Sequence, residues 1–235
     1  SMLLPALSKA RQSALAIQCS GNMRQLGLVN ALYTDDYKYW VYPCDNMGSG
    51  FVGSKPIPQL RWFHVYIECG YVNVKLGGCT YLPLGTKTIF FCPVTAMEPL
   101  NSLTLTQAMS SYKLVGGNHE WGKWCNAVSG YKDKSRPVMP EKIKNPAQTS
   151  AFVEKGRGEK SYNSCSIHPG SLPNTLVDLD KEYIGFVHGS RSNTLHADGH
   201  VSSFKIMDLY FASNESKRRQ IWQKHFSVAD SCDML

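Results

Sequence analysis

The stretch PALSKARQSALAIQCSGNMRQLGLVNALYTDD, residues 5–36, decides the fold. After Pro5 it has no proline, and Leu7, Ala10, Ala14, Leu15, Cys19, Met23, Leu26, Val29, Leu32 and Tyr33 recur mostly three or four residues apart. That is the period of a helix with one apolar face. The spacing predicts a helix about 48 Å long at ~1.5 Å per residue. Pro5 is tolerated if the helix begins there and kinks it if the helix continues upstream. Gly21 and Gly27 weaken the middle, so the helix is expected to depend on packing against a sheet rather than on propensity. Asp35 and Asp36 read as its exposed end.

Beyond Asp36 the chain changes character. Short apolar or aromatic runs at 61–68, 88–92, 110–115, 150–154, 183–188, 193–196 and 200–206 are separated by Gly, Pro, Asn and Ser. These read as strands, although 61–68 is equally compatible with a helix, because a short apolar run does not fix the period. Segments 45–58 and 121–140 read as long loops, and 214–226 as a short helix with Ile221, Trp222 and Phe226 turned to a core. No internal repeat or linker divides the chain. The expected fold class is α+β: a long N-terminal helix (1–36) packed on an antiparallel sheet, forming one domain with a head (37–235) that carries large loops and a short C-terminal helix.

The sharpest local signal is Leu195-His196-Ala197-Asp198-Gly199-His200-Val201. Asp-Gly between strand-like residues predicts a two-residue type I′ turn, with positive φ at both Asp198 and Gly199. The alternative, a metal or acid–base cluster of Asp198 with His188, His196 and His200, matches no standard ligand spacing. The turn is the preferred reading.

Composition narrows the function classes. Of the 235 residues, 43% are hydrophobic and 18% charged, a balance that excludes an intrinsically disordered or collagen-like chain. Lys and Arg exceed Asp and Glu by 25 to 18, for a net charge of +7. The basic residues fall in two loose groups, Lys132, Lys134 and Arg136, then Lys217, Arg218, Arg219 and Lys224. Neither has the basic–aromatic interleaving of a nucleic-acid binder, so no nucleic-acid partner is expected. The eight cysteines are Cys19, Cys44, Cys69, Cys79, Cys92, Cys125, Cys165 and Cys232. None is spaced C-x-x-C, so structural zinc and thioredoxin-type chemistry both lack their usual pattern. No metal or other cofactor is expected. An even count slightly favours an oxidising compartment over buried free thiols.

The N-terminal residues Ser1 to Arg11, with Cys19, Asn22, Arg24-Gln25-Leu26-Gly27 and Tyr33-Thr34-Asp35-Asp36, resemble the first part of bacterial type IV pilin-like proteins, type II secretion pseudopilins among them, that carry a prepilin-type methylation segment. His188, followed after nine residues by Asp198-Gly199, is similar to the H-x9-D-G signature of the prepilin-type processing-associated domain. Between them, Phe91-Cys92-Pro93, Ser111-Tyr112 with Gly117-Asn118, and Ile143-Lys144-Asn145-Pro146 follow in the order of that family. The likeness is thin through 48–60 and 95–109. It implies a subunit anchored in the inner membrane through a removed N-terminal segment, with a periplasmic or extracellular head in which disulfides form. It also implies partnership with other pilin-like subunits or with secretion machinery. Leu3, Leu4 and Leu7 are then the expected assembly surface, and His188, Gly189, Asn193, Asp198 and Gly199 the family motif that stabilises a hairpin.

Two other classes were weighed. As an enzyme the chain has no G-x-S-x-G, P-loop, G-x-G-x-x-G or H-E-x-x-H motif, and His119-Glu120 lacks a second His, so no catalytic residue is expected. As a cell-surface glycan- or peptide-binding protein with the helix only as an anchor, it would use Trp121 and Trp124, in the Gly-rich segment 116–130, as stacking platforms. Loops are where such residues lie. Glu154, ending the apolar run Ala151-Phe152-Val153, reads as a structural carboxylate that pairs with an Arg or accepts amide hydrogen bonds.

Overall fold

The computed structural model describes residues 3–38, 40, 50–52, 55–57, 62–75, 82–83, 87–94, 107–108, 110–115, 140–155, 166–167, 184–205 and 208. Its first element is helix α1, Leu3–Tyr37, 35 residues and about 52 Å long. Pro5 is thus the third residue of the described helix. Only its second half enters the core. Cys19, Met23, Leu26, Val29, Asn30 and Tyr33 are buried, one stripe at helical spacing, whereas residues 4–14 are all exposed. Within the expected apolar face Leu7 is 68% exposed, as an assembly-surface residue would be, whereas Leu32, 58% exposed, was misassigned. At 100° per residue Leu32 has rotated away from the Met23–Leu26–Asn30–Tyr33 seam.

The sheet under α1 is built from β5 (Tyr112–Val115), β6 (Ser150–Glu154), β7 (Ser166–Ile167), β8 (Arg191–His196) and β9 (Val201–Lys205), in the order β7-β5-β6-β8-β9. The neighbours from β5 through β9 pair antiparallel, and β7 adds parallel to β5. With α1 this makes an α+β architecture. The one departure from an antiparallel sheet is the two-residue β7. In β6 all five residues are buried, so it is the central strand in burial as well as in order. A bulge at Ala151 shifts its register against β8 between Ser150 and Phe152, bending the strand locally. Helix α1 crosses β8 closely at Gly27, where an added Cβ would lie 3.0 Å from Leu195 Cδ1.

The ambiguous run 61–68 is helical: α2, Trp62–Glu68, with Trp62 to Tyr66 buried. Trp62 packs edge-on against Phe63, Tyr66, Phe90 and Phe152, and Tyr66 donates to Asn30 Oδ1 at 2.7 Å. Two expected strands are not strands. Residues 88–92 form a turn closed by Phe91 N to Thr88 O, and their aromatics point into the core without ladder pairing. Run 183–188 contributes a single bridge, Ile184 to Lys155, before turning at His188. Conversely, β1 (Gly50–Val52) pairs with β2 (Lys55–Ile57) as a small hairpin inside the expected loop 45–58, and β3 (Leu82–Pro83) pairs antiparallel with the distant β4 (Gln107–Ala108). The expected helix at 214–226 and loop at 121–139 lie outside the described residues.

Two turns bracket β8. At its start Gly189 and Ser190 have φ of 61° and 63°, and His188 and Arg191 exchange backbone hydrogen bonds at 3.2 and 3.3 Å. This is the two-residue primed turn that sequence reading placed at the other end. At the β8–β9 end the reversal does run through Asp198 and Gly199, but only Gly199 has positive φ, 89°. Gly199 N bonds His196 O, and His196 N bonds His200 O, both at 2.9 Å. The loop is therefore three residues, Ala197 to Gly199, a type I turn closed by a left-handed glycine. Asp198 Oδ1 accepts from the His200 amide at 3.1 Å and faces His200 Nδ1 at 2.6 Å, which supplies the reason for Asp at this place.

Candidate functional site

Glu154 ends β6 with its side chain buried at 1% exposure, where a carboxylate requires partners. It has four. The Asn193 backbone amide donates to Oε2 at 2.8 Å, and Asn193 Nδ2 donates to Oε1 at 3.0 Å. His188 Nε2 lies 2.9 Å from the same Oε1, and the Cys19 thiol donates to it at 2.7 Å. Among the described residues no Arg takes part in this set; besides the thiol and the imidazole, the carboxylate accepts the two Asn193 hydrogen bonds.

The surrounding side chains extend the network. Cys92 Sγ is 3.5 Å from His188 Nε2, and Tyr112 Oη is 3.2 Å from Cys19 Sγ. The donor atoms of Cys19, Cys92, Glu154 and His188 all lie within 4.8 Å of one another. Each arrives on a different element: Cys19 on α1, Cys92 from the 88–92 turn, Glu154 at the end of β6, and His188 at the primed turn before β8. Asn193 reaches Glu154 because it is two residues along β8 from that turn's exit, on the strand next to β6.

The electrostatics follow from burial and proximity. Burial drives the Cys19 thiol far above its ordinary pKa, and Cys92 and Glu154 add to the effect. Cys92 moves the other way: the Cys19 thiol beside it and the His188 ring favour its thiolate against the opposing effect of burial. For His188, burial disfavours the imidazolium, but Cys92 and Glu154 outweigh it and raise the pKa to about 10. Tyr112 is pushed up by burial and by the neighbouring Cys19. Both sulfurs belong to residues with 0% exposure, so neither presents a nucleophile to a substrate. Among the described residues His188, its side chain 5% exposed, borders a cleft of about 520 Å³ between α1 (Lys9, Gln12, Ala16) and Val187 to Gly189.

Of the residues singled out in the sequence, the structure brings together His188 and Asn193. Asp198 and Gly199 lie at the far end of β8, so His188 is no part of the β8–β9 turn it was expected to stabilise. Gly189 serves the turn at His188. Leu4 is 73% and Leu7 68% exposed on α1; the Leu3 side chain, Trp121 and Trp124 lie outside the described residues. Sequence reading missed Cys19, Cys92 and Glu154 as partners of His188. No spacing rule finds them, since the donors are separated by dozens of residues; Cys19 and Cys92 sit in motifs that carry the resemblance, and Glu154 was legible only as a structural carboxylate at the end of an apolar run.

A second surface stands apart from this cluster. Residues 4–18 of α1 run beyond the core stripe, and Leu4, Leu7, Ile17, Leu28 and Leu32 are exposed apolar side chains along the helix. Ile17 and Leu28 point nearly opposite to the buried seam at ~100° per residue. Among the described residues no helix is long and apolar enough to cross a membrane. Comparison with protein-family models, with curated proteins and with solved structures returns no match to this chain, so its function is argued from these two features.

Proposed function

We propose that this chain is the extramembrane part of a membrane-anchored pilin-like or pseudopilin-like subunit, which acts by assembly through α1 with other such subunits or with secretion machinery. The observation that carries this reading is the division of α1. From Cys19 to Tyr33 one stripe is buried in the head, while residues 4–14 are all exposed and Leu4, Leu7 and Ile17 are more than two-thirds exposed. A helix segment with leucine and isoleucine side chains in water gains by burying them, at about 25 cal/mol per Å², and neighbouring helices of the same kind offer the matching surface. Exposed apolar side chains gathered along one helix fit an interaction surface. The order of the resembling motifs, from the N-terminal segment to His188 and Asp198-Gly199, supports the same assignment.

The test is expression of a full-length precursor with a prepilin peptidase, read by intact mass and by cross-linking from photoreactive residues placed at Leu7 and Ile17. Leader removal together with helix-to-helix cross-links in ordered multimers is the expected result. An uncleaved precursor, or a cleaved one that stays monomeric and yields no cross-link from either position, would sink the proposal.

A further inference from the structure

We propose that Cys19, Cys92, Glu154 and His188 form a closed four-ligand site for a zinc-class divalent cation, which fastens α1 to the sheet. The site is independent of the assembly reading, since it depends only on these side chains. Three observations carry it.

The first is convergence. Four groups that are all metal ligands come from four separate elements, and their donor atoms lie within 4.8 Å of one another. Zinc bonds of ~2.0–2.3 Å to N, O and S in a tetrahedron give ligand-to-ligand edges of about 3.3–3.8 Å. The pairs here measure 2.7 Å (Cys19–Glu154), 2.9 Å (His188–Glu154) and 3.5 Å (Cys92–His188). Side-chain torsions must open the Cys19–Glu154 pair by about 0.6–0.9 Å and the His188–Glu154 pair by about 0.4 Å to reach that edge. The atoms that converge are also the ligating atoms, two Sγ, one Nε2 and one carboxylate oxygen.

The second is charge. The Cys19 thiol proton, donated to Glu154, and the His188 ring beside the same oxygen now neutralise donors whose residues Cys19, Cys92 and Glu154 are 0%, 0% and 1% exposed. A divalent cation at the centre of the set displaces those protons on binding and takes their place as the buried counter-charge. Two sulfurs and an imidazole select zinc or a similar borderline metal over calcium or magnesium, which take oxygen ligands. Four protein ligands leave no open position, so the site is structural rather than catalytic.

The third is support around the ligands. Asn193 holds both oxygens of Glu154 through its backbone amide and Nδ2, and Tyr112 Oη lies against Cys19 Sγ. Donors on the outer side of carboxylate and thiolate ligands are what orient a metal's first shell. The cleft at His188 gives the ion a way in.

Zn2+ and Co2+ are the probes. The chain is purified with its thiols reduced, stripped with a chelator, and titrated with each metal. We expect about one equivalent of tightly held Zn2+ by elemental analysis, and with Co2+ a near-ultraviolet thiolate charge-transfer band and the strong visible bands of a tetrahedral site. Cys92→Ser should lose both, while Cys69→Ser, which alters a free thiol outside the cluster, should keep both. The far-ultraviolet spectrum checks that each variant folds. If Cys92→Ser does not fold, the Co2+ spectrum of the unaltered chain decides, because its charge-transfer intensity scales with the number of thiolate ligands. Three results would overturn the site: no stoichiometric metal on a chain whose thiols titrate as free, a folded Cys92→Ser that binds as the unaltered chain does, or a Cys19–Cys92 disulfide found by mass spectrometry in protein taken from an oxidising compartment.

Discussion

At Gly185 a single hydrogen atom decides whether the end of β6 closes. A Cβ built there would stand 2.1 Å from the carbonyl oxygen of Lys155, a backbone atom that cannot rotate aside, while Gly185 N donates to Glu154 O at 2.9 Å. Gly185→Ala must therefore part the strand from the 184–188 segment and shift Glu154 and His188 with it. We expect a loss of about 1–3 kcal/mol, the range for overpacking, seen as a lower urea midpoint; an unchanged midpoint would mean that the two segments do not approach this closely. Asp198 makes a different kind of prediction. Burial pushes its pKa up, but the His200 amide and ring, with His196 farther off, outweigh it and leave the carboxyl below its ordinary value. A folded-state pKa below the unfolded one means that the contribution to stability is fully present above the unfolded value of about 3.9 and is lost as pH falls through the lower folded value. Asp198→Asn should thus flatten the fall in the urea midpoint between about pH 5 and pH 2, and identical acid slopes for the two proteins would refute the assignment. The Asp-Gly pair was legible as a chain reversal. Its loop length was not, because a two-residue and a three-residue loop both favour glycine at the left-handed position, and the choice between them depends on the register of β8 on β9.

At the scale of the element, α1 shows what periodicity can and cannot carry. The helix was legible from residues 5–36, and its extent, Leu3–Tyr37, differs by two residues at one end and one at the other. Which apolar residues are buried was not legible, because the chain carries apolar side chains on more than one face and only the packing of the sheet, α2 and the 88–92 turn selects between them. Leu26 is 0% exposed against the sheet, whereas Leu28 is 67% exposed. Leu26→Ala should cost about 2–5 kcal/mol, as core truncations do, and Leu28→Ala should stay within about 0.5 kcal/mol. Equal losses in chemical denaturation would show that the seam lies elsewhere. The same limit explains the misread strands. Phe90, Phe91 and Cys92 are as buried as strand residues, yet they reach the core from a turn, and alternation over five residues does not separate these cases. For the cluster at Glu154 the limit is more severe: each ligand was visible as a residue, but their meeting is a product of α1, β6 and two turns, and nothing local encodes it.

For the whole molecule, the consequence of this arrangement is an unequal distribution of stability along one continuous helix. From Cys19 onward α1 is tied to the head by its buried stripe, by Asn22 Nδ2 donating to Phe91 O at 2.8 Å, and by Tyr66 donating to Asn30. Residues 4–14 are all exposed, and a helical segment of about 12–15 residues without tertiary contacts is marginal in water. Amide exchange should divide accordingly: amides from Met23 to Tyr33 should open only with global unfolding, while those of residues 6–16 should exchange orders of magnitude faster by local fraying. If the exposed half is an assembly surface, protection of residues 6–16 should rise on multimerisation while that of Met23 to Tyr33 is unchanged, because the latter are already buried in the isolated head. Slow exchange of the N-terminal half in a dilute monomer would contradict this division. Protection that rises only after Cys19 would move the interface from the bare half of α1 to the Leu28 and Leu32 face.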